Sequence, residues 1–283
     1  MMFFFESFEL PDNVFLILRD LIHERTGLYY EQKKREILAD RLSSRLLEHN
    51  LTSFLDYYYL LKYDAGADEE WRQLFDVLTV PETFFWREYD QISTLVKILI
   101  PEALAQNSSS YGAPPLKIWS AACSTGEEPI SLAISLYEAG LLPQHSIRIY
   151  ASDASSQAIS KARQGIYQER SFRNLPAILK TKYFKPEGKG WRVMPEIHDQ
   201  IHWFVANLRT PSETYPMMKS NFIFCRNVFI YFSEAAIRET VVKFFEMMPT
   251  PGYLFLSSSE SLLKLNTGFE LKQIGGSFVY VKS

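Results

Sequence analysis

The stretch Ile118-Trp-Ser-Ala-Ala-Cys-Ser-Thr-Gly-Glu-Glu-Pro129 decides the fold of the larger part of this chain. Its apolar start predicts a β-strand, its small residues predict a tight turn, and its acidic end predicts the first turn of a helix. Ala122, Ser124 and Gly126 stand where a nucleotide-binding loop has glycines, and small residues let the backbone approach a ligand closely. The stretch therefore predicts a ligand-binding unit of strand, loop and helix.

Two carboxylates, Glu127 and Glu128, open the helix that follows this loop. They would repel a pyrophosphate, which argues against a nicotinamide dehydrogenase, but they suit a positively charged ligand such as S-adenosylmethionine. Acidic residues are also common in the first turn of ordinary helices, because the helix dipole favours them there. Residue types alone do not decide between these two interpretations.

Outward from this unit, short apolar segments alternate with helical patterns, which predicts an α/β fold with a mostly parallel sheet. Two more polar positions follow predicted strands. Asp153 could accept hydrogen bonds from ribose hydroxyls, or it could be a solvated strand end. Arg226 and Asn227 lie at the edge where open α/β sheets bind ligands. The predicted strands cover 116–120, 147–152, 201–205, 221–225 and 253–257, and the predicted helices cover 127–139, 155–164 and 234–248.

Residues 1–78 form a predicted helical domain, and residues 79–283 form the α/β domain. Apolar residues recur at helical spacing from Phe15, and Gly27 ends that first helix. In the second domain, the composition of residues 106–115 predicts a loop. On the second helix Lys34, Arg41 and Arg45 point in a common direction beside the apolar stripe. This basic face is either solvated or a contact surface, and charge alone does not decide. The predicted helices cover residues up to 27, then 31–50, 54–63 and 69–78.

Composition limits the function classes. The chain is 47% hydrophobic and 22% charged, as in soluble globular proteins, and its net charge of −3 gives no general case for nucleic-acid binding. No apolar run approaches the roughly 18 residues that span a bilayer. The start, Met1 to Phe5, lacks a preceding basic segment, so we predict no signal peptide. Cys123 and Cys225 suggest reduced, buried thiols in a cytoplasmic protein.

Taken in order, the motifs of this chain resemble the CheR family, the chemotaxis receptor glutamate methyltransferases. The resemblance implies a Rossmann-like class I S-adenosylmethionine-dependent methyltransferase domain, an N-terminal all-helical domain, and a small inserted antiparallel β subdomain at about 180–204. The motifs that carry the resemblance are Lys34 to Leu42, Pro81-Glu-Thr-Phe-Phe-Trp-Arg-Glu88, the 118–129 loop, Asp153, Asn207-Leu208, Cys225-Arg-Asn-Val-Phe-Ile-Tyr-Phe232 and Ser259-Glu260.

The resemblance also implies a cofactor, S-adenosylmethionine, with S-adenosylhomocysteine as product and no metal. Asp153 would hold the ribose, and Asn207 and Leu208 would flank the adenine. Arg87 and Tyr231 would lie near the transferred methyl group, and we expect Arg87 to orient the incoming carboxylate and Tyr231 to shape the methyl channel. The implied cofactor contacts are Thr83, Arg87, Glu128, Asp153, Asn207, Leu208, Asn227 and Val228.

The implied reaction forms glutamate methyl esters on methyl-accepting receptors, in sensory adaptation. A glutamate side chain has a pKa of about 4.3 and is already an anion at neutral pH, so the reaction needs no strong base. The implied partner is the cytoplasmic helical region of the receptor, contacted through Lys34, Arg41 and Arg45, without nucleic acid or direct membrane insertion. The alternative is a catalytically weak regulator that binds cofactor in a non-chemotaxis pathway.

The chain departs from the family pattern at several positions. Pro81 stands where many members have Asn, Trp86 replaces Phe, and Ile130 replaces Tyr. Ser257-Ser-Ser-Glu260 stands in for a Gly-His-Ser-Glu motif. None of these changes removes Arg87, Asp153, Asn227 or Tyr231, so activity is expected. The stretch 183–193 is compact, and we therefore predict that it does not dock a receptor tail peptide.

Overall fold

The computed structural model describes residues 8–107 and 114–283. The amino-terminal stretch and positions 108–113 of the predicted 106–115 loop lie outside these residues, and the helix before that loop runs on to Asn107. Within the described residues, no helix combines the length and the apolar character that are needed to cross a bilayer.

The part of the described chain before residue 80 contains four helices around one apolar core. Helix α3 begins where Ser53 accepts a hydrogen bond from the Asp56 backbone N–H, and α1 ends at Gly27, as predicted. The helices are α1 (Asp12–Thr26), α2 (Arg35–Glu48), α3 (Phe54–Tyr63) and α4 (Ala67–Leu78), with a short 3₁₀ turn at Gln32–Lys34.

A seven-stranded and a three-stranded sheet form the second part of the described chain. The strands are β1 (Leu116–Ala121), β2 (Ile147–Asp153), β3 (Ile166–Tyr167), β4 (Phe184–Glu187), β5 (Gly190–Val193), β6 (Ile201–Val205), β7 (Phe222–Phe224), β8 (Gly252–Phe255), β9 (Glu270–Ile274) and β10 (Ser277–Lys282). The large sheet has the order β6-β2-β1-β7-β8-β10-β9, with the first five strands parallel and the last two antiparallel. The five predicted strands correspond to β1, β2, β6, β7 and β8 and agree with them within two residues at each end.

Helices cover the large sheet and join its strands. Tyr89–Thr94 (α5) and Ile100–Asn107 (α6) are connected by a π-helical segment, Leu95–Leu99, and lead from the helical domain to β1. The others are α7 (Glu127–Glu138), α8 (Leu141–Gln144), α9 (Ser156–Gln164), α10 (Ala177–Tyr183), α11 (Pro195–His198), α12 (Pro211–Met218) and α13 (Glu234–Met247), with 3₁₀ turns at Glu169–Phe172 and Phe229–Tyr231.

The small antiparallel sheet differs from its predicted range of about 180–204. Its order is β3-β5-β4, so it starts with Ile166–Tyr167, ahead of that range, and ends at Val193. Residues 201–205 instead pair with β2 at the edge of the large sheet. The strand β3 has only two residues, which is too short for any periodic pattern to reveal it.

The hairpin of β9 and β10 was not among the predicted elements. Ile274 and Ser277 are directly paired, so Gly275 and Gly276 alone form the turn, and both have positive φ. Such two-residue hairpin turns favour glycine because it has no Cβ. The Gly-Gly pair before Phe278-Val-Tyr-Val281 was therefore the signal that could have predicted this hairpin.

The predicted basic face of α2 is wrong for Arg45. This side chain is buried, and its guanidinium donates to Glu70 of α4 at 2.6–2.9 Å and to Glu48 at 2.5 Å. Arg41 is half-buried and donates to the Leu78 carbonyl oxygen and the Tyr30 hydroxyl group. Long basic side chains can reach sideways across a helix interface. The helical spacing in the sequence therefore did not reveal that Arg41 and Arg45 contact α4 or its surroundings.

Glu70 lies at the centre of a buried polar network in the helical domain. Burial alone would raise its pKa, but hydrogen bonds from Arg45, Tyr57 and His49 outweigh burial and lower the pKa below its usual value. The carboxylate is thus held in its charged form by the buried Arg45 and Tyr57 and by the more exposed His49.

Replacing Glu70 with glutamine is expected to destabilise the protein by about 3 kcal/mol, because the buried Arg45 loses its counter-charge. The folded-state pKa of Glu70 lies below the unfolded-state value of 4.5. The ionised Glu70 therefore stabilises the fold fully above the unfolded-state pKa of 4.5, and this stabilisation is lost as the pH falls through the folded-state pKa. Urea unfolding measured from about pH 7 to about pH 3 should show that the free energy of unfolding falls less in the variant than in the unchanged protein. Equal pH dependence in both proteins would contradict this account, and Glu69→Gln, in an exposed ion pair, serves as control.

Candidate active site

A cleft of about 1090 Å³, including space open to solvent, lies at the carboxyl ends of β1, β2 and β7. Its opposite wall comes from the helical domain, through Thr26, Leu28, Phe75 and Leu78. Clefts between domains and at this edge of an α/β sheet are common ligand sites.

Every residue predicted to touch the cofactor or the methyl group lines this one cleft. They come from distant segments of the chain, and their side chains or backbone meet because parallel strands end at the same edge. The residues are Thr83, Arg87, Glu128, Asp153, Asn207, Leu208, Asn227, Val228 and Tyr231.

The loop between β1 and α7 has an unusual backbone, and its residues Ala122 and Ser124 line the cleft. Ala122, Ser124 and Gly126 all have positive φ, at 58°, 51° and 96°. A Cβ on Gly126 would come within 2.8 Å of the Trp203 ring, so glycine is required there. The hydroxyl oxygen of Ser124 is buried and has no hydrogen-bond partner within 8–107 and 114–283. A buried, unpartnered hydroxyl in the wall of a cleft fits a polar ligand atom.

Asp153 is the last residue of β2 and lies in the wall of the cleft. Its carboxylate accepts the backbone N–H of Ser124 at 2.8 Å and that of Ser155 at 2.9 Å. Burial raises the pKa of Asp153, although these backbone hydrogen bonds oppose the shift. A carboxylate has about four lone-pair sites, so the oxygens of Asp153 can also accept the two hydroxyl groups of a ribose.

The structure separates the two glutamates that open α7. Glu127 is buried away from the cleft, where it accepts hydrogen bonds from Thr125 and Ser171, and burial raises its pKa. Glu128 alone lines the cleft, and its carboxylate is paired with Arg226 at 2.6 Å. The interpretation that both carboxylates face a positive ligand is therefore wrong for Glu127.

Arg226 connects the main parts of the site. Its side chain is 2% exposed, and it donates to Glu128 at 2.6 Å and to the Arg87 carbonyl oxygen at 2.9 Å. It also lies 3.3 Å from the Glu88 carboxylate. A planar guanidinium can hold these acceptors at once, which fixes the segment before α5 against β7.

Glu260 holds the loop after β7 in shape. Its carboxylate accepts four backbone N–H groups at 2.7–2.9 Å, from Asn227, Val228, Phe229 and Ser257. Asn227 has a φ of 61°, a left-handed conformation that this ring of hydrogen bonds supports. The motif Ser259-Glu260 did not indicate this supporting role from the sequence alone.

Asn207 shapes the cleft through contacts inside the protein. Its side-chain amide donates to the Arg25 carbonyl oxygen of α1 at 2.8 Å, and its side-chain oxygen accepts the Arg209 backbone N–H at 3.0 Å. Both ends of the amide are thus engaged, and Leu208 beside it contributes a buried apolar surface. A fixed amide beside an apolar surface suits an aromatic base that packs against Asn207 and Leu208.

Together, the strand order, the strand–loop–helix unit with Asp153 and the helical wall define a class I S-adenosylmethionine-dependent methyltransferase fold with an added helical domain. Residues 81–276 match the model of the CheR methyltransferase, SAM binding domain, and residues 13–79 match that of the CheR methyltransferase, all-alpha domain. The chain belongs to the CheR methyltransferase family. The predicted family, fold class and cofactor are confirmed.

Curated relatives match nearly the whole chain. Chemotaxis protein methyltransferase 2 of Vibrio cholerae is 34% identical over 277 residues, which cover 96% of this chain and 94% of the relative. The chemotaxis protein methyltransferase of Escherichia coli K12 is 31% identical, with 98% and 93% covered. A probable biofilm formation methyltransferase, WspC of Pseudomonas putida, is 31% identical over 92% of this chain and 60% of its own length.

Proposed function

We propose that this protein transfers the methyl group of S-adenosylmethionine to glutamate side chains of methyl-accepting receptors, forming glutamate methyl esters. The observation that carries the proposal is Arg87 in the wall of the cofactor cleft. Within the described residues its guanidinium donates only to the Glu82 carbonyl oxygen, at 3.0 Å. Since a guanidinium has five N–H donors in a planar fork, it can still bind a carboxylate with two hydrogen bonds.

Bound S-adenosylmethionine would supply a methyl group made reactive by the neighbouring sulfonium charge. Asp153 and Ser124 would bind the nucleoside part, and Asn227 and Val228 would border the methionine part. Arg87 would hold the glutamate carboxylate in line with the methyl group. Because the carboxylate is already an anion, positioning is the main contribution of the protein, at best on the order of 7–11 kcal/mol.

The mouth of the cleft suits an acidic segment with apolar neighbours. Arg87 and Arg173 both stack on Phe84, with guanidinium carbons 5.4 Å and 3.6 Å from the ring centre. Val80 and Tyr231 line the same cleft and are 46% and 40% exposed. Arg173 is paired with Glu82 at 3.4 Å, so Arg87 is the cation that faces the cleft, and its charge beside exposed apolar side chains favours an acidic amphipathic segment over a basic one.

The proposed partner is the cytoplasmic helical region of a chemotaxis-type receptor, and the proposed location is the cytoplasm. The names of the Vibrio and Escherichia relatives support a chemotaxis role. Two free, buried thiols, Cys123 and Cys225, are consistent with a reducing compartment. Lys34 and Arg41 remain candidates for receptor contact, whereas the buried Arg45 does not.

The proposal is tested by methyl transfer from labelled S-adenosylmethionine to a purified cytoplasmic receptor fragment from the same organism. Transfer to the fragment is expected, together with its loss when the candidate glutamates are changed to glutamine, because a neutral amide is a poor nucleophile. Equal labelling of both fragments would mean that glutamate is not the acceptor.

Arg87→Ala is expected to reduce the rate of methyl transfer by about 100-fold, as for other groups that position and stabilise charge. S-adenosylhomocysteine affinity should change much less, since Arg87 mainly serves the incoming carboxylate in this account. Arg87→Lys should be intermediate, because it keeps the charge but loses the planar fork. The control is Arg148→Ala, an exposed position at the other end of β2. An unchanged transfer rate in Arg87→Ala would rule out this role.

A further inference from the structure

We propose that Asp76, on α4 of the helical domain, is a positioning residue for Asp153 and thereby sets the affinity of the methyltransferase domain for its cofactor. The inference rests on Asp153 as the ribose ligand of the proposed site. It does not depend on which group accepts the methyl.

Asp76 reaches across from the helical domain to the first turn of α9, the helix that follows Asp153. Its Oδ1 accepts the Ser155 hydroxyl at 2.5 Å and the Gln157 backbone N–H at 3.1 Å. Its Oδ2 accepts the Ser156 hydroxyl at 3.2 Å. One carboxylate therefore satisfies groups that the helix start would otherwise leave without partners.

Ser155 passes this contact on to Asp153. The buried Ser155 donates its backbone N–H to Asp153 Oδ1 at 2.9 Å. Its hydroxyl oxygen accepts the Ala158 backbone N–H at 2.9 Å while donating to Asp76. The hydroxyl is thus fixed on both sides, and the backbone between Asp153 and α9 has little freedom to rotate the carboxylate away from the cleft.

Charge alone does not explain why Asp76 is there. The negative charge of Asp76 is among the factors that raise the pKa of Asp153. Electrostatically the two carboxylates therefore disfavour each other, and the gain must come from the hydrogen bonds and from the start of α9. The neighbours Phe75 and Leu78 on the same helix line the cleft, so α4 both borders the cofactor site and fixes its ribose end.

The test is calorimetric titration of the full-length protein with S-adenosylhomocysteine, which needs no receptor. Asp76→Ala is expected to raise the dissociation constant by about 10-fold, the size of a lost helix cap. Asp76→Asn, which keeps the acceptor oxygen, should stay within about threefold of the unchanged protein. Glu69→Ala, an exposed position on the same helix, should bind normally.

Two further readouts separate positioning from a general loss of structure. Ser155→Ala removes the same link from the other side and should raise the dissociation constant similarly. In the Asp76→Ala/Ser155→Ala double variant the effects should not add, because both changes break one contact. In the receptor assay KM for S-adenosylmethionine should rise while kcat changes little. Unchanged affinity in Asp76→Ala or in Ser155→Ala, or a lower melting temperature without any change in affinity, would overturn the inference.

Discussion

Replacing Arg226 with alanine is expected to abolish detectable methyl transfer and to destabilise the protein by about 3–5 kcal/mol, as happens when one partner of a buried ion pair is removed. The variant leaves the Glu128 carboxylate without its counter-charge and frees the Arg87 carbonyl oxygen. The segment that carries Arg87 and the first turn of α7 would then lose their common anchor. Denaturant unfolding and S-adenosylhomocysteine titration measure the two effects.

A paired variant separates stability from site geometry. Arg226→Met combined with Glu128→Gln removes both charges and should restore much of the lost stability, since a neutral pair needs no counter-charge. It should not restore methyl transfer, because the bridge to the Arg87 carbonyl oxygen is still missing. The control Arg72→Ala, in an exposed pair with Glu69, should stay within about 0.5 kcal/mol. Normal transfer by Arg226→Ala would contradict the role given to this residue.

Glu260→Ala is expected to lower the rate of methyl transfer by about 100-fold, because a displacement of a positioning loop by about 1 Å can have this effect. Four backbone N–H groups lose their acceptor, and stability should fall by about 3 kcal/mol or more. Glu260→Gln should keep part of the transfer rate and part of the stability, since the carbonyl oxygen of the new side chain still accepts hydrogen bonds while its NH₂ group cannot.

The comparison uses S-adenosylhomocysteine titration and initial rates of methyl transfer, with Glu246→Gln as the matched exposed control. The expected change includes weaker cofactor binding, because Asn227 and Val228 both line the cleft. Binding and rates equal to those of the unchanged protein would mean that this loop keeps its shape without Glu260.

The local patterns of the sequence predicted the elements that depend on local properties. The strand, loop and helix at 118–129 follow from apolar spacing and small residues, and the observed β1 and α7 match that prediction. Asp153 at the end of β2 could be proposed as a ligand because its position relative to the loop follows from the parallel arrangement.

Contacts between distant segments could not be predicted in the same way. Glu127 and Glu128 are adjacent in the sequence, yet one is buried against Ser171 and the other faces the cleft. Arg45 was assigned to a solvent-facing surface, although it packs against Glu70. Each outcome depends on which helix lies opposite, and a single sequence does not contain that information.

The same limit applies to the residues that support the site. Glu260 reaches Asn227 across 33 positions, and Asp76 reaches Ser155 across 79. Neither lies in a segment whose composition indicates a ligand site. The resemblance to a family led to the residues that line the cleft and included Glu260 in a motif, whereas the contacts of Glu260 and Asp76 became visible only in the folded chain.

The measurement that tests the central claim most directly is identification of the methylated atom in a receptor fragment by mass spectrometry, before and after mild alkali. We expect one or more glutamate side chains to gain a methyl group and alkali to remove it as methanol, as for an ester. A methyl group that survives alkali, or one that maps to a lysine, histidine or cysteine, would contradict carboxylate methylation by this cleft.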